Sequence, residues 1–317
     1  MANSQVPVWS IAIFAARENV QTLEKTIVAA KDAAIQPAII DVLVNGNLEL
    51  ANETARLLRT TEPKANNRAV TVRVWFVQLG DKAHTFNQYF KLIWPKSRLA
   101  FFIDGYVRIN PDALVLLDEA MSNSPDCYAG SGVPTVGVTA KSLRDEMLKS
   151  GGIHGNLFAL KGSTVEALRE MNFKLPLGLY RTDPTLGAAL SFGLNPRLHA
   201  WDPKVRILVH PDVTWGNDER SPWRISDVSA QLKRILRQGQ GILENLAVRN
   251  HFAVQEKTPD QLPATAADLV FQWVNSNPHE LWKAMFRHPL LISLALRKLR
   301  QPREWSHTET APELKYP

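Results

Sequence analysis

The chain has 317 residues, of which 45% are hydrophobic and 21% are charged, a composition that suits one large globular domain or two modest ones. Its net charge of +6 equals the six lysines and arginines of the segment 281–303, which holds no acidic residue, so the rest of the chain is close to neutral. This distribution argues against a nucleic-acid-binding surface on the main body of the protein.

Cys127 is the only cysteine, which excludes an internal disulfide framework and a zinc site built from several cysteines. No apolar stretch approaches the ~20 residues needed to span a bilayer. The first residues lack the basic and apolar regions of a secretory signal peptide. We therefore expect a cytoplasmic protein that is soluble or lies on a membrane surface.

Apolar strands and amphipathic helices alternate over the first hundred residues. The pattern predicts strands at 8–14, 38–44, 70–79 and 99–103, with helices at 20–34, 49–59 and 86–94. Such alternation predicts a parallel sheet whose faces are covered by helices.

Asp104 directly follows the strand 99–103, whose five residues are all apolar. Open α/β sheets bind their ligands at the carboxyl ends of their strands. Asp104 is therefore a candidate for a metal or diphosphate site. The alternative is a carboxylate that only caps the following turn.

The pattern changes after residue 125. The later elements are a glycine-rich loop at 151–156, a short strand at 157–160, a helix opened by Asp183 and Pro184, a strand at 205–209 that ends at His210, and a helical remainder from Ile225 onward. Asp183 can be a catalytic group, a simple helix cap, or both.

Four motifs follow one another in order: Lys82-Ala-His-Thr-Phe-Asn87, Asp104-Gly-Tyr106, the glycine-rich segment 151–158, and Asp183-Pro-Thr-Leu-Gly-Ala-Ala-Leu190. Their order resembles that of the inverting family 2 glycosyltransferases of the GT-A fold, over about residues 6–245. Some members of that family add Gln-x-x-Arg-Trp, to which Gln231-Leu-Lys-Arg234-Ile235 is similar.

The resemblance implies an α/β fold with a GT-A-like, mostly parallel sheet flanked by helices and a helical C-terminal extension. The implied reaction moves a hexose from a UDP- or GDP-linked donor to an acceptor hydroxyl with inversion, and Asp183 is the implied catalytic base. The implied donor-binding residues are Ala15, Arg17, Glu18, Asn45, Lys82, Asn87, Asp104, Gly105 and Tyr106. The implied acceptor-site residues are Gly152, His154, Asn156, Arg181, Gln231 and Arg234. The implied cofactor is a divalent metal, Mn²⁺ or Mg²⁺, with Asp104 and His210 as its ligands.

We expect residues 1–225 to form the catalytic domain, with a nucleotide-sugar half at 1–110 and an acceptor half at 111–225. Residues 226–317 are expected to form the helical C-terminal extension.

Three acidic positions of the family pattern are replaced here: Tyr106 stands for the second Asp of Asp-x-Asp, Thr182 for the Glu before the base, and Asn45 for an Asp at the second strand. These replacements leave open a non-catalytic binding protein that keeps the fold and docks to a membrane or a partner enzyme. A sugar nucleotidyltransferase is a third alternative, but it would want a glycine-rich loop after the first strand, where residues 15–19 contain no glycine.

The segment 281–303 combines its six basic residues with apolar positions at helical spacing, among them Leu281, Trp282, Met285 and Phe286. A basic amphipathic segment with tryptophan suits an anionic membrane surface. This predicts peripheral binding at the inner face of the cytoplasmic membrane and a lipid or lipid-linked acceptor. The alternative is a helix that packs on the catalytic domain.

Overall fold

The computed structural model describes the backbone of residues 7–61, 69–137, 140–217 and 225–317, and the side chains of these residues except 61 and 225–236. Within them, nine strands form one sheet: β1 (Trp9–Ala15), β2 (Ala38–Asn45), β3 (Val70–Val77), β4 (Leu99–Asp104), β5 (Arg108–Ile109), β6 (Ala129–Pro134), β7 (Leu157–Lys161), β8 (Ile207–Gly216) and β9 (Glu313–Tyr316). Their order across the sheet is β5-β8-β6-β7-β4-β1-β2-β3-β9.

The helices that flank and follow the sheet are α1 (Val20–Ala33), α2 (Leu48–Thr61), α3 (Lys82–Gln88), α4 (Ala113–Ser122), α5 (Ala140–Ser150), α6 (Gly162–Glu170), α7 (Thr182–Ser191), α8 (Pro203–Arg206), α9 (Ile225–Arg249), α10 (Ala266–Ser276), α11 (Pro278–Arg287) and α12 (Pro289–Leu299). A π-helical turn, Tyr89–Ile93, continues α3, and a second one, Asn250–Val254, continues α9.

The half of the sheet that contains β1 to β4 is parallel. Strands β3, β2, β1 and β4 pair in parallel, so their carboxyl ends lie at one edge, and Phe14 of β1 is in register with Asp104 of β4. Both strands are apolar and almost fully buried, as expected for strands covered on both faces. Asp104 therefore lies at the edge where open α/β sheets generally bind their ligands.

Strand β7 runs antiparallel to β4, and Leu157 lies opposite Ile103. The amino end of β7 thus meets the carboxyl end of β4. Because the glycine-rich loop 151–156 directly precedes β7, this pairing brings the loop to the same edge as Asp104.

A stack of aromatic rings ties the parallel half of the sheet to α3. Phe86 lies on Phe14 with ring centroids 4.2 Å apart, and Phe102 lies on Phe158 with centroids 4.6 Å apart. Phe86 also stacks on Phe102 at 5.7 Å. This packing fixes the start of α3, and with it Lys82, above the carboxyl ends of β1 and β4.

Helices α9 and α12 pack closely against each other at Gly239. A methyl group added to Gly239 in α9 would fall 2.1 Å from the carbonyl oxygen of Leu291 in α12, so only glycine allows the two backbones this approach. After α12 the chain returns to the sheet, where β9 pairs antiparallel with β3.

The predicted α/β class with C-terminal helices is confirmed, and the sheet is mixed, because β7, β5 and β9 run antiparallel to their neighbours. The expectation of an entirely helical remainder after residue 225 is wrong for β9. This four-residue strand joins the free edge of β3, and its short sequence carries too little periodicity to predict a strand.

Candidate functional site at the carboxyl edge of the sheet

A lysine sits between two carboxylates at the carboxyl edge of β4. Lys82 Nζ lies 2.6 Å from Asp104 Oδ1 and 3.6 Å from Asp183 Oδ1. Asp104 comes from the end of β4, and Asp183 from the first turn of α7. The fold therefore brings together three of the residues that the sequence motifs singled out.

The start of α3 holds Lys82 in place. Asp81 is the N-cap of the helix and accepts a hydrogen bond from the His84 amide at 2.8 Å. Burial would lower the pKa of Lys82, but the charges of Asp104 and Asp183 outweigh this and raise it. The ammonium group therefore stays positively charged throughout the physiological range.

Both oxygens of Asp104 are engaged. Its Oδ1 accepts from Lys82, and its Oδ2 lies 3.2 Å from the hydroxyl of Tyr106, which can donate to it. The same hydroxyl lies 3.0 Å from Asn156 Oδ1. Burial raises the pKa of Asp104, and the neighbouring Lys82 opposes that rise.

Asp183 lies under the glycine-rich loop. A methyl group added to Gly155 would fall 2.2 Å from Asp183 Oδ2, so the carboxylate packs against the α-carbon of this glycine. The interpretation of Asp183 as a helix cap is wrong, because Arg181 is the N-cap of α7 and Asp183 lies inside its first turn. Thr182, which stands where the motif resembled here has Glu, donates its hydroxyl to Asp183 Oδ1 at 3.2 Å.

The other residues of the glycine-rich loop 151–156 add polar and aromatic groups to the site. His154 stacks on Trp215 of β8 with ring centroids 5.0 Å apart, and its Nδ1 accepts from the Asn156 amide at 3.2 Å. Gly152 has φ +113° and open space around its α-carbon. The loop therefore combines a stacked ring with a buried amide beside the two carboxylates.

The predicted donor residues at the ends of β1 and β2 line the same edge. The Ala15 carbonyl accepts from Asn45 Nδ2 at 3.2 Å, which ties the two strand ends together. Gly105 packs against Ala15, where an added methyl group would approach to 3.0 Å. Glu18 accepts from the amide of Arg17 at 2.9 Å, and the Arg17 side chain is exposed.

The predicted role of Asn87 in donor binding stays a prediction. Its amide both donates to and accepts from the backbone of Leu175, at 2.9 and 2.8 Å. These two bonds connect α3 to the segment before α7, so the Asn87 side chain holds these two parts of the fold together.

A buried carboxylate supports the segment that leads into α7. Glu244 of α9 accepts hydrogen bonds from the amides of Tyr180 and Arg181, and from Gln240 Nε2 at 2.7 Å. Arg181 Nε is buried and has no hydrogen-bond partner among the described residues. The side chains of Gln231 and Arg234, both predicted for the acceptor site, lie outside the described residues.

The implied metal does not fit the described residues. They contain no group of three or more His, Cys, Asp or Glu side chains that could hold a metal ion. Asp104 already binds Lys82 and Tyr106, and a phenol is a poor replacement for a hard carboxylate ligand. His210 lies on β8, three strands away from β4, or about 14 Å across the sheet at the usual strand spacing.

Sequence reasoning missed several residues that the fold brings to this edge. Asp81, Gln240 and Glu244 organise the backbone around Gly178, and two cations of the C-terminal segment, Lys298 and Arg303, reach the same place. The basic character of the segment 281–303 is the only signal in the sequence for these two cations, and it equally suits a membrane surface.

The chain matches no family model and no curated protein. Among solved structures it is similar to the mannosyltransferase PcManGT from Pyrobaculum calidifontis in complex with GDP-Man and Mn²⁺, at 13% sequence identity and a TM-score of 0.58. The similarity covers 94% of this chain and 89% of the other. The chain therefore has a glycosyltransferase-type fold.

Proposed function

We propose that this protein transfers a hexose from a nucleotide sugar to an acceptor hydroxyl with inversion at the anomeric carbon. The observation that carries the proposal is the pairing of Asp104 and Asp183 with one lysine at the carboxyl edge of the sheet, beneath a glycine-rich loop. Open α/β sheets bind their ligands at this edge.

Asp183 is the proposed general base that takes the proton from the acceptor hydroxyl. Its Oδ1 is held by Thr182 and Lys82, while its Oδ2 packs against Gly155 in the loop. A base fixed on both sides needs little reorganisation in the transition state, which is how positioned groups lower a barrier.

The test is a panel of UDP- and GDP-linked hexoses with the full-length protein and simple hydroxyl acceptors. We expect one donor to release nucleoside diphosphate, and NMR of the product to show the inverted anomer. Asp183→Asn should reduce turnover by about 10²- to 10⁴-fold, the typical contribution of general base catalysis, with donor affinity nearly unchanged.

Asp112→Asn is the control, because Asp112 caps α4 without a side-chain hydrogen bond. A folded Asp183→Asn protein with wild-type turnover would remove Asp183 from the mechanism.

The proposal extends to a lipid or lipid-linked acceptor at the inner face of the cytoplasmic membrane. No described helix is long and apolar enough to cross a bilayer. Four large apolar side chains are nevertheless exposed, Trp282 (71%) and Phe286 (90%) in α11 and Leu290 (75%) and Leu294 (42%) in α12. We call them the apolar stripe.

Basic residues flank the apolar stripe and suit an anionic surface. Arg287 and Arg297 are exposed beside it, and Lys283 is exposed but paired with Glu280 at 2.7 Å. An exposed apolar stripe with cationic flanks fits the boundary between lipid headgroups and acyl chains.

The same segment also packs on the protein, so the two interpretations of its sequence are compatible. Ala284, Ile292, Ala295, Leu296 and Leu299 are buried in the core on the opposite face. The proposed division at residue 226 therefore separates two parts that share a core, and the extension returns to the catalytic sheet through β9.

A second candidate is the non-catalytic binding protein. The hydrogen bonds that Lys82 and Tyr106 make to Asp104 favour it, because they satisfy a carboxylate that the family uses for the donor. The donor panel separates the two: binding of nucleoside diphosphate without transfer to any acceptor supports this candidate.

A further inference from the structure

A second group of charges lies beside the candidate site and has no role in the proposed chemistry. Four cationic side chains, from the turn after β1, from α9, from α12 and from the segment that follows α12, are near enough for their charges to interact: Arg17, Arg237, Lys298 and Arg303. We call them the cation cluster.

Direct contacts place two members of the cluster at Gly178. A methyl group added to this glycine would fall 2.9 Å from Arg303 Nη1. Its carbonyl accepts from Gln240 Nε2 at 3.1 Å, and Gln240 Oε1 in turn lies 3.4 Å from Lys298 Nζ. Lys298, Gln240 and Gly178 thus form one connected set with Arg303.

The same glycine links the cluster to the candidate site. The Gly178 amide donates to Asp81 Oδ2 at 2.9 Å, and Asp81 is the N-cap residue directly before Lys82. Arg17 follows the carboxyl end of β1, one strand from Asp104. The cluster therefore lies near the carboxyl edge of the sheet, where the predicted donor-binding residues are.

The four charges act on one another. The pKa values of Arg237 and Lys298 are both lowered, first by burial and then by the positive charges of Arg17 and Arg303. Such mutual repulsion is unfavourable until an anion relieves it.

The nearby carboxylates offset the charge of the cluster only in part: Glu244 raises the pKa of Lys298 from a distance, without an ion pair. Asp81 accepts hydrogen bonds from the amides of His84 and Gly178, and Glu244 accepts from two backbone amides and Gln240. Among the described residues, no carboxylate lies within 4.0 Å of a cationic nitrogen of the cluster. The cluster therefore has no direct ion pair with a described carboxylate.

We propose that the cation cluster binds the diphosphate of the donor nucleotide and supplies the positive charge that a divalent metal supplies in metal-dependent enzymes. This inference rests on the proposed function. Arginine and lysine stabilise phosphate oxygens through charge-assisted hydrogen bonds, and arginine matches them bidentately. Cationic clamps of this kind also neutralise charge that develops on a diphosphate leaving group.

The first test uses the unmodified full-length protein. Calorimetry measures the affinity for inorganic pyrophosphate, GDP and UDP, once with EDTA and once with Mn²⁺. We expect binding in EDTA, a less than threefold change on adding Mn²⁺, and weaker binding as salt rises. Binding that requires Mn²⁺ would overturn the proposal.

The second test removes single charges. Arg303→Gln and Lys298→Gln should each weaken pyrophosphate and nucleoside diphosphate binding about tenfold, as expected for one charge-assisted contact. Arg56→Gln is the matched control, since Arg56 is exposed on α2. Arg303 is exposed and lies outside the helices, so its replacement should leave the melting temperature unchanged. A folded Arg303→Gln protein that binds pyrophosphate like the wild type overturns the inference.

The two proposals fail separately. Metal-independent diphosphate binding that depends on the cation cluster, without sugar transfer, keeps this inference and rejects the proposed enzyme. Sugar transfer that is insensitive to Arg303→Gln and Lys298→Gln keeps the enzyme and rejects this inference.

Discussion

The carboxylate of Asp183 packs against the α-carbon of Gly155, where an added methyl group would fall 2.2 Å from Oδ2. The φ of Gly155 is not positive, so this position requires glycine for space and not for backbone conformation. The contact couples the glycine-rich loop to the proposed base, and it makes the position of the base testable without changing the carboxylate itself.

Gly155→Ala should displace Asp183 from Lys82 and reduce sugar transfer by about 10²-fold, the typical consequence of moving a catalytic group by about 1 Å. The overpacking should also destabilise the fold by about 1–3 kcal/mol. Turnover and the urea midpoint measure the two effects. Gly80→Ala is the control, because a methyl group there meets only Gly46 Cα at an ordinary 3.5 Å. Unchanged turnover in Gly155→Ala would show that the contact does not position the base.

The Lys82–Asp104 pair should behave as one unit in a double-mutant cycle. Lys82→Met leaves a partly buried carboxylate without its cation. We expect a loss of about 1–3 kcal/mol in the free energy of unfolding, below the range for fully buried pairs because both side chains are partly exposed. Asp104→Asn in the same protein should recover most of the loss. Urea denaturation of the four proteins gives the coupling energy. Additive effects of the two substitutions would mean that the pair contributes nothing specific to stability.

Acid should destabilise the protein through His251. Burial lowers the pKa of this histidine to about 4, and the ring packs edge-on against Phe252 with centroids 4.9 Å apart. The unfolded chain binds this proton near pH 6.5 while the folded chain does so only near pH 4, so stability is present above pH 6.5 and falls as the pH decreases between these values. The loss should amount to about 1–3 kcal/mol.

Denaturant unfolding at pH 7, 6, 5 and 4 measures this effect. His251→Gln should flatten the dependence of stability on pH between 6.5 and 4, because glutamine does not titrate there. His279→Gln, at an exposed position in α11, should leave the slope unchanged. Equal slopes in the wild type and His251→Gln would assign the acid sensitivity to other groups.

The apolar stripe should bind anionic vesicles. Phe286→Ser combined with Leu290→Ser should abolish most of the sedimentation of the full-length protein with phosphatidylserine vesicles, because these are the two most exposed members of the stripe. Raising the salt concentration should weaken the wild-type binding, since exposed charges are screened over about 10 Å at 0.1 M. Leu198→Ser is the control, at a site that is 75% exposed elsewhere. Equal sedimentation of the wild type, the double variant and Leu198→Ser would contradict the proposal that this segment binds membranes. Deleting 281–303 is a poorer test, because that segment also fills the core and carries Lys298.

Short-range patterns determined the parallel half of the sheet and the position of Asp104. The apolar run of β4 and the alternation of strands with helices depend on neighbouring residues, so the sequence predicted a buried strand that delivers a carboxylate to the ligand edge. The helix predicted at 86–94 begins earlier, at Lys82, whereas the buried strand and its alternation with helices are as predicted. These features need no knowledge of what packs against them.

Tertiary structure decided what the side chains do. Lys82 and Asp104 are separated by 22 residues, and Asp81 meets Gly178 across 97, so no local period predicts either contact. The sequence offered Asp104 as a metal ligand, and the fold gives both of its oxygens to protein groups.

The basic C-terminal segment shows most clearly the difference between what the sequence predicts and what tertiary contacts decide. Its composition predicted a positively charged amphipathic surface, and the apolar stripe is exposed as that pattern suggests. Only the packing of α12 on α9, which Gly239 permits, turns Lys298 toward Gln240 and Gly178 and leaves Leu290 facing outward. Helical periodicity says which residues share a face, but the element against which a face packs is set by contacts between distant parts of the chain.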